Sequence, residues 1–150
     1  MYQDRFNAFL RSSDTLQVYE GKRLVFSSDR DRLLPLLEYI GRSANSPRAV
    51  VIFDKITGNA AALLSVKAGG REVFSPMGSQ LAVETLDKHG VKHHLTEIVS
   101  YIERADGAGM CPMEKLSLSK EPENFYLEMK NIINRSEAGD AKRKEKSWKK

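Results

Sequence analysis

The sequence predicts one three-layer α/β domain with a mixed, mainly parallel sheet. Three observations carry this prediction. Residues 48–53 form a short, almost wholly apolar segment, which is typical of a strand buried on both faces. Strand-like and helical segments alternate after it, as in right-handed parallel βαβ units. Before it, two β-rich segments flank a tight turn, which indicates an antiparallel N-terminal hairpin.

The first half of the chain supplies a helix, the hairpin and a second helix. Residues 3–10 place apolar side chains at helical spacing. The hairpin strands follow, separated by Glu-Gly-Lys, at residues 15–19 and 23–27. The second helix should begin near Asp31 or Arg32, because Pro35 is tolerated only in a first turn, and Gly41 is expected to end it.

The middle of the chain alternates strands with helices of about a dozen residues. The expected elements are a strand at 48–53, a helix at 57–68, a strand at 72–75, a helix at 79–89 and a strand at 91–95. Ser79 is a good N-cap residue, and Gly90 ends the helix that Ser79 begins. The helix at 57–68 is rich in alanine, and small side chains let a helix pack closely on a sheet.

The last third of the chain is expected to be mainly helical. A helical segment is expected at 97–103, and a flexible glycine-containing loop at 106–109. Pro112 opens the next helix, because proline is favoured at the first helical position. Pro122 opens the last helix, which is expected to end near Ile133.

Residues 136–150 are expected to form a disordered basic tail behind a single domain at residues 1–135, because they contain almost no apolar side chains. Residues 142–150 hold six basic residues and one acidic residue, a balance of +5 within a chain of net charge +4, so the rest sums to −1. The domain therefore lacks a basic surface for nucleic acid. Any weak, salt-sensitive nucleic-acid contact would be made by the tail, whose alternative role is to keep the protein in solution.

Composition also indicates the compartment. Cys111 is the only cysteine, so no internal disulfide can form, in agreement with a reducing environment. No apolar segment approaches the roughly 20 residues that cross a bilayer, and the N-terminus has no signal-peptide pattern. A cytoplasmic protein without a membrane partner is expected.

The first candidate site follows the buried strand. Asp54 and Lys55 end that strand, and Thr57, Gly58 and Asn59 open the next helix. Ligands of open α/β sheets bind beyond the carboxyl ends of the parallel strands, and free N–H groups at a helix start favour an anion or a carbonyl oxygen. The two charged groups are expected to face a crevice, with the next three residues contacting a ligand. The alternative is a strand-end salt bridge and an ordinary helix entry.

The second candidate site is centred on Cys111. Pro112 and Glu114 would be the first and third residues of a helix, which makes Cys111 its expected N-cap. The positive end of the helix dipole would stabilise a thiolate there, and the preceding glycine loop would be able to close over a ligand. The alternative is a buried structural cysteine.

The histidines do not indicate a metal site. His89 ends a helix, whereas His93 and His94 are neighbours in a strand and point to opposite faces. With no histidine near Asp54 or Cys111, no tetrahedral zinc site is expected. Dinucleotide, P-loop and serine-elbow motifs are absent from the sequence, so no cofactor is expected.

Two segments carry a resemblance to a known family. Residues 54–64 read Asp-Lys-Ile-Thr-Gly-Asn-Ala-Ala-Ala-Leu-Leu, and residues 109–114 read Gly-Met-Cys-Pro-Met-Glu. Together they resemble an uncharacterised family of small bacterial and archaeal proteins in the cytidine-deaminase-like superfamily. The resemblance covers most of the folded domain and implies a cytidine-deaminase-like fold, whose order of elements matches the one derived above.

The resemblance also shows which chemistry is missing. True deaminases begin one helix with His-x-Glu and another with Pro-Cys-x-x-Cys, which supply the zinc ligands and the proton shuttle. Here the first helix start reads Gly58-Asn59, and the second has Glu114 where a ligand cysteine is expected. Asn59 also replaces a residue that is usually basic in the family. The resemblance implies that Asp54, Lys55, Gly58, Cys111 and Glu114 converge on one pocket, where Glu114 is expected to contact the ligand.

The sequence favours a ligand-binding or catalytic role for this crevice. In a metal-independent enzyme, Cys111 would be the nucleophile or a covalent ligand, Lys55 would stabilise the thiolate or an oxyanion, and Asp54 would orient Lys55 or exchange protons. In a non-catalytic module, the same crevice would bind a small polar ligand, nucleotide-like by the superfamily resemblance. A third hypothesis is a nucleic-acid-associated protein acting through its tail. The exposed hairpin edge permits an oligomer without requiring one.

Overall fold

The computed structural model describes residues 2–43 and 48–148, with side chains described through residue 136. Six helices and five strands make up this part of the chain. The helices are α1 (Gln3–Arg11), α2 (Leu34–Ser43), α3 (Asn59–Lys67), α4 (Gln80–Lys88), α5 (Pro112–Ser117) and α6 (Pro122–Trp148). The strands are β1 (Leu16–Glu20), β2 (Arg23–Ser28), β3 (Val50–Asp54), β4 (Gly70–Ser79) and β5 (Lys92–Val99).

The five strands form one mixed sheet in the order β2-β1-β3-β4-β5. β1 pairs antiparallel with both β2 and β3, and Gly21 at φ 61° allows the tight turn between β1 and β2. β3, β4 and β5 are parallel neighbours. The mixed α/β sheet is therefore as the sequence predicts, with α3 and α4 as the crossovers between parallel strands.

Helices cover both faces of the sheet and create three layers. On one face, α1 packs Phe6 and Phe9 against Phe53 and Phe74, and the rings of Phe6 and Phe53 lie 5.5 Å apart between centroids. On the other face, side chains of α2, α3, α4 and α6 share a core with alternate residues of the strands. α3 is buried from Asn59 to Ser65, as expected for a helix that other elements surround.

Three helix boundaries differ from the sequence prediction. Residues 97–99, expected to be helical, extend β5, because the longer β4 offers them pairing partners at Met77, Gly78 and Ser79. The prediction of a helix at 97–103 is therefore wrong. Gly41 does not end α2, which begins only at Leu34, keeps Pro35 in its first turn and continues to Ser43.

The end of α6 is the third difference. The backbone stays helical to Trp148, whereas the sequence predicted that the last helix ends near Ile133. The division into a domain at residues 1–135 and a disordered basic tail at residues 136–150 stays a prediction. Residues 137–148 are rich in alanine, lysine, arginine and glutamate, which have high helix propensity, and the prediction weighed only their lack of apolar surface. The side chains of this basic segment lie outside the described residues. Among residues 2–43 and 48–148, no helix is long and apolar enough to cross a membrane.

Candidate functional site

Two predicted helix starts meet at a buried carboxylate. Glu114 is only 2% exposed, and its carboxylate accepts hydrogen bonds from the backbone N–H groups of Asn59 and Ile102, the latter at 2.7 Å. Asn59 is the first residue of α3, and Gly58 is its N-cap without a capping side chain. The carboxylate thus supplies the negative charge and the acceptor that the start of α3 otherwise lacks. We call the set Gly58, Asn59, Ile102, Glu114 and Ser117 the helix-start junction.

Asn59 uses its side chain to tie three helices together. Its amide nitrogen donates to the Ser117 carbonyl at 3.1 Å and to the Ser117 hydroxyl at 3.0 Å. Its amide oxygen accepts from the hydroxyl of Thr85 on α4. The Ser117 hydroxyl in turn donates to the Glu114 carbonyl at 2.6 Å. The polar atoms of Asn59 and Glu114 are therefore committed to protein groups, which favours a structural role over the expected ligand contact.

Gly58 is needed because Glu114 and Ile102 lie directly above it. A Cβ atom at this position would lie 2.8 Å from Ile102 Cγ1 and 3.1 Å from Glu114 Oε1. We expect Gly58→Ala to destabilise the fold by about 1–3 kcal/mol through overpacking. The matched control is Gly41→Ala inside α2, where a Cβ meets nothing within 4 Å and a gain of about 0.5–1 kcal/mol is expected. Urea unfolding of the two variants checks this, and equal effects at both positions would contradict the close packing.

Asp54 ends β3 on the face of the sheet that α3 covers. It pairs with Leu16 of β1 and follows Ile52 by two residues, so its side chain lies on the same face of the sheet as these two core residues. The residue is 8% exposed, and Oδ1 accepts a long, 3.4 Å hydrogen bond from the N–H of Ile56. Burial raises the pKa of Asp54 to about 7, against the lowering effect of the backbone N–H groups of Ile56 and Lys55.

Lys55 points to the opposite face. Its ammonium donates to the Ser12 carbonyl at 2.9 Å and lies 4.7 Å from the centroid of the Phe9 ring. Both partners belong to the end of α1. Consecutive residues of a strand alternate between faces. Asp54 and Lys55 therefore point to opposite faces of the sheet, and the prediction that both face one crevice is wrong.

Thr57, three residues after Asp54, contributes a buried hydroxyl group. The residue is fully buried, its N–H donates to the Met77 carbonyl at 2.9 Å, and it forms a bridge to Gly78 of β4. Its hydroxyl oxygen has no hydrogen-bond partner among the described residues. A buried hydroxyl of this kind requires an explanation, because most such groups are paired.

Cys111 is the N-cap of α5, as predicted, but α5 has only six residues and the thiol makes no capping hydrogen bond. The N–H of Cys111 donates to the Ile102 carbonyl at 2.8 Å, so the residue belongs to the side of the sheet that carries the helix-start junction. Lys55, the cation expected to activate the thiol, is held on the other side. The described contacts therefore do not join the proposed nucleophile to its proposed partner.

The structure adds residues that the sequence did not indicate. Ile102 and Ser117 complete the helix-start junction, and Thr85 of α4 donates to Asn59 from outside it. Only the spacing of Ser117 three residues after Glu114 was a signal, since those positions share one face of a helix. Within residues 2–43 and 48–148, no group of three or more His, Cys, Asp or Glu side chains is placed to hold a metal ion.

Comparison with known proteins identifies a solved structure with the same fold and a matching protein family. A solved structure of a DUF1893 family protein (TM1506) from Thermotoga maritima is 24% identical in sequence and superposes with a TM-score of 0.73, covering 89% of this chain and 88% of that one. That likeness establishes the fold alone. No curated protein matches the chain. The family model "TM1506: Domain of unknown function (DUF1893)" matches residues 6–133, and the chain therefore belongs to the DUF1893 family.

Proposed function

We propose that this protein binds a small polar ligand at the carboxyl end of β3, with Asp54 and Thr57 as the contacting residues and without a covalent step. The observation that carries the proposal is the buried Asp54 carboxylate, whose pKa is raised to about 7 by burial. Strongly perturbed carboxylates cluster at functional sites. The position also agrees with the rule that ligands of open α/β sheets bind beyond the carboxyl ends of the strands.

Energetics support ligand contact at these two residues. A carboxylate without strong hydrogen bonds and a hydroxyl without a partner both destabilise the free fold, because each loses water without full replacement. A ligand that donates to Asp54 and hydrogen-bonds to Thr57 would restore those interactions. Binding is favoured over catalysis, since Lys55 lies on the other face and no described contact activates the Cys111 thiol.

We propose that the scaffold is cytidine-deaminase-like, and that a carboxylate joins the two helix starts that hold zinc in the deaminases. Deaminases bring two helix starts together around zinc. Here the starts of α3 and α5 also meet, and the Glu114 carboxylate bridges to the backbone of α3 at that point. By this analogy the ligand is nucleoside-like. We place the protein in the cytoplasm, because a single cysteine agrees with a reducing compartment.

Titration with cytidine and adenosine tests the proposal, with the ¹³C signal of the Asp54 carboxyl group as the readout. We expect a nucleoside to shift that signal and its midpoint near pH 7, and Asp54→Asn to abolish binding measured by calorimetry. Asp4→Asn, an exposed carboxylate on α1, is the matched control and should bind as the wild type.

A second variant separates ligand contact from fold stability. Thr57→Val removes the unpaired hydroxyl with little change of shape, so it should stabilise the free protein by about 1–2 kcal/mol and still weaken nucleoside binding. An Asp54 carboxyl group that titrates near pH 4, or one that no nucleoside perturbs, would contradict the proposal.

A further inference from the structure

A cavity lies on the α1 face of the sheet, away from Asp54. It has a volume of about 380 Å³, within the range of small-molecule sites. Its lining comes from the start of α1 and from the first halves of β4 and β5: Tyr2, Gln3, Glu72, Phe74, Lys92 and His94. We call it the His94 pocket. In the sheet register, Glu72 lies beside Lys92 and Phe74 beside His94, so these four side chains share one face.

The His94 pocket has a planar aromatic wall that is held in one orientation. The His94 ring stacks on Phe74, with 4.2 Å between ring centroids and 20° between planes. Its Nε2 atom lies 2.7 Å from Glu72 Oε2, which fixes the rotation of the ring. Phe74 is buried, whereas the His94 side chain is 41% exposed, because β5 is the last strand of the sheet. A flat ligand ring can stack on an imidazole presented in this way.

The pocket also has a cation, Lys92, that makes no ion pair among the described residues. The Glu72 carboxylate is hydrogen-bonded to His94, and the Tyr2 hydroxyl donates to the Gly21 carbonyl at 3.0 Å and accepts from Arg71 at 3.3 Å. Lys92 is exposed and makes no ion pair with any side chain in the described part of the chain. An anionic group beside the stacked ring would gain a charge-assisted hydrogen bond from its ammonium.

We propose that the His94 pocket binds a planar aromatic or heteroaromatic ring that carries an anionic group, with the ring on His94 and the anion on Lys92. The His94 ring, stacked on Phe74, favours a ligand with a flat ring. The Lys92 ammonium beside it favours a ligand with a negative charge. This site is independent of the Asp54 site, because it lies on the other face of the sheet and on other residues.

Nicotinate is the probe, since it joins one flat heteroaromatic ring to one carboxylate. Nicotinamide has the ring without the charge, and acetate has the charge without the ring. His94 is the reporter in a proton–carbon NMR titration, and the other two histidines are internal controls. His93 lies on the opposite face of β5, 2.9 Å from Asp87, and His89 ends α4. We expect saturable shifts of the His94 ring with nicotinate, much weaker shifts with the other two compounds, and unchanged His93 and His89 signals.

Lys92→Met should weaken nicotinate binding roughly tenfold, the usual effect of losing one charge-assisted contact. Lys88→Met is the matched control, because Lys88 is exposed on α4 and already paired with Glu121. Lys92→Glu should weaken binding further by repelling the carboxylate, and backbone NMR spectra will show that both variants keep the fold. Equal shifts at all three histidines, or a Lys92→Met variant that binds as the wild type does, would overturn the proposal.

Discussion

Removal of the Glu114 side chain is expected to lower the free energy of unfolding by about 3 kcal/mol. Glu114→Ala leaves the buried N–H group of Asn59 and the half-buried N–H group of Ile102 without their acceptor. An unsatisfied buried group costs about 1–3 kcal/mol, and a half-buried one costs less because water can replace part of the lost bond. It also leaves a cavity above Gly58, which adds a packing term. Release of a buried carboxylate from its desolvated position offsets part of this loss. Urea unfolding at neutral pH measures the net effect.

Two further variants make the test specific for the helix-start junction. Glu114→Gln keeps the shape and one acceptor oxygen but turns an amide N–H toward a backbone donor, so roughly half of the loss is expected. Glu84→Ala removes an exposed glutamate from α4 and should change stability by less than about 0.5 kcal/mol. If Glu114→Ala proved as mild as Glu84→Ala, the junction would not hold α5 on α3.

Asp54→Asn is expected to make the protein more stable at pH 8 by about 2–4 kcal/mol. The folded protein binds a proton at Asp54 with a pKa of about 7, whereas an unfolded aspartate has a pKa of about 3.9. Between these values the folded state holds more protons than the unfolded state, so its stability falls as pH rises. The difference corresponds to about 4 kcal/mol at most, and the full penalty is present above pH 7.

The pH profile of unfolding provides the measurement. The free energies of unfolding of the wild type and of Asp54→Asn should be similar near pH 4. The value for the wild type should then fall steadily below that of the variant as the pH rises towards 7. Asp4→Asn should follow the wild type throughout, because Asp4 is exposed on α1. Parallel profiles for wild type and Asp54→Asn would show that the carboxylate is well solvated, and the ligand proposal would then lose its main support.

The contacts of the helix-start junction give the Cys-Pro-Met-Glu segment a structural role. Pro112 starts a short helix, and Glu114 on that helix reaches the backbone of α3 and of Ile102. Cys111 stands at the edge of this arrangement with a half-buried thiol. In this DUF1893 protein Glu114 therefore links α5 to the start of α3.

Local patterns were sufficient for most of the fold. The apolar run at β3, the turn between β1 and β2 and the Ser79 cap of α4 each depend on residues close together in the chain. Ser79 accepts from the Ala82 N–H at 3.1 Å, as its residue type and position predict. The boundaries at Val99 and Trp148 were missed, because the first depends on pairing with β4 and the second on propensity rather than burial.

The sequence by itself determined the class of fold and the position of Cys111 as a helix cap. The resemblance implied that Asp54, Lys55, Gly58, Cys111 and Glu114 converge on one pocket. Of these residues, Gly58 lies against Glu114, whereas Lys55 lies on the other face of the sheet. Only the tertiary structure decided what those residues contact. Lys55 and Asp54 are adjacent in sequence yet lie on opposite faces, and the His94 pocket gathers residues from α1, β4 and β5. Strand alternation and sheet register set these neighbours, and both depend on which segments pair at long range, which no local pattern encodes.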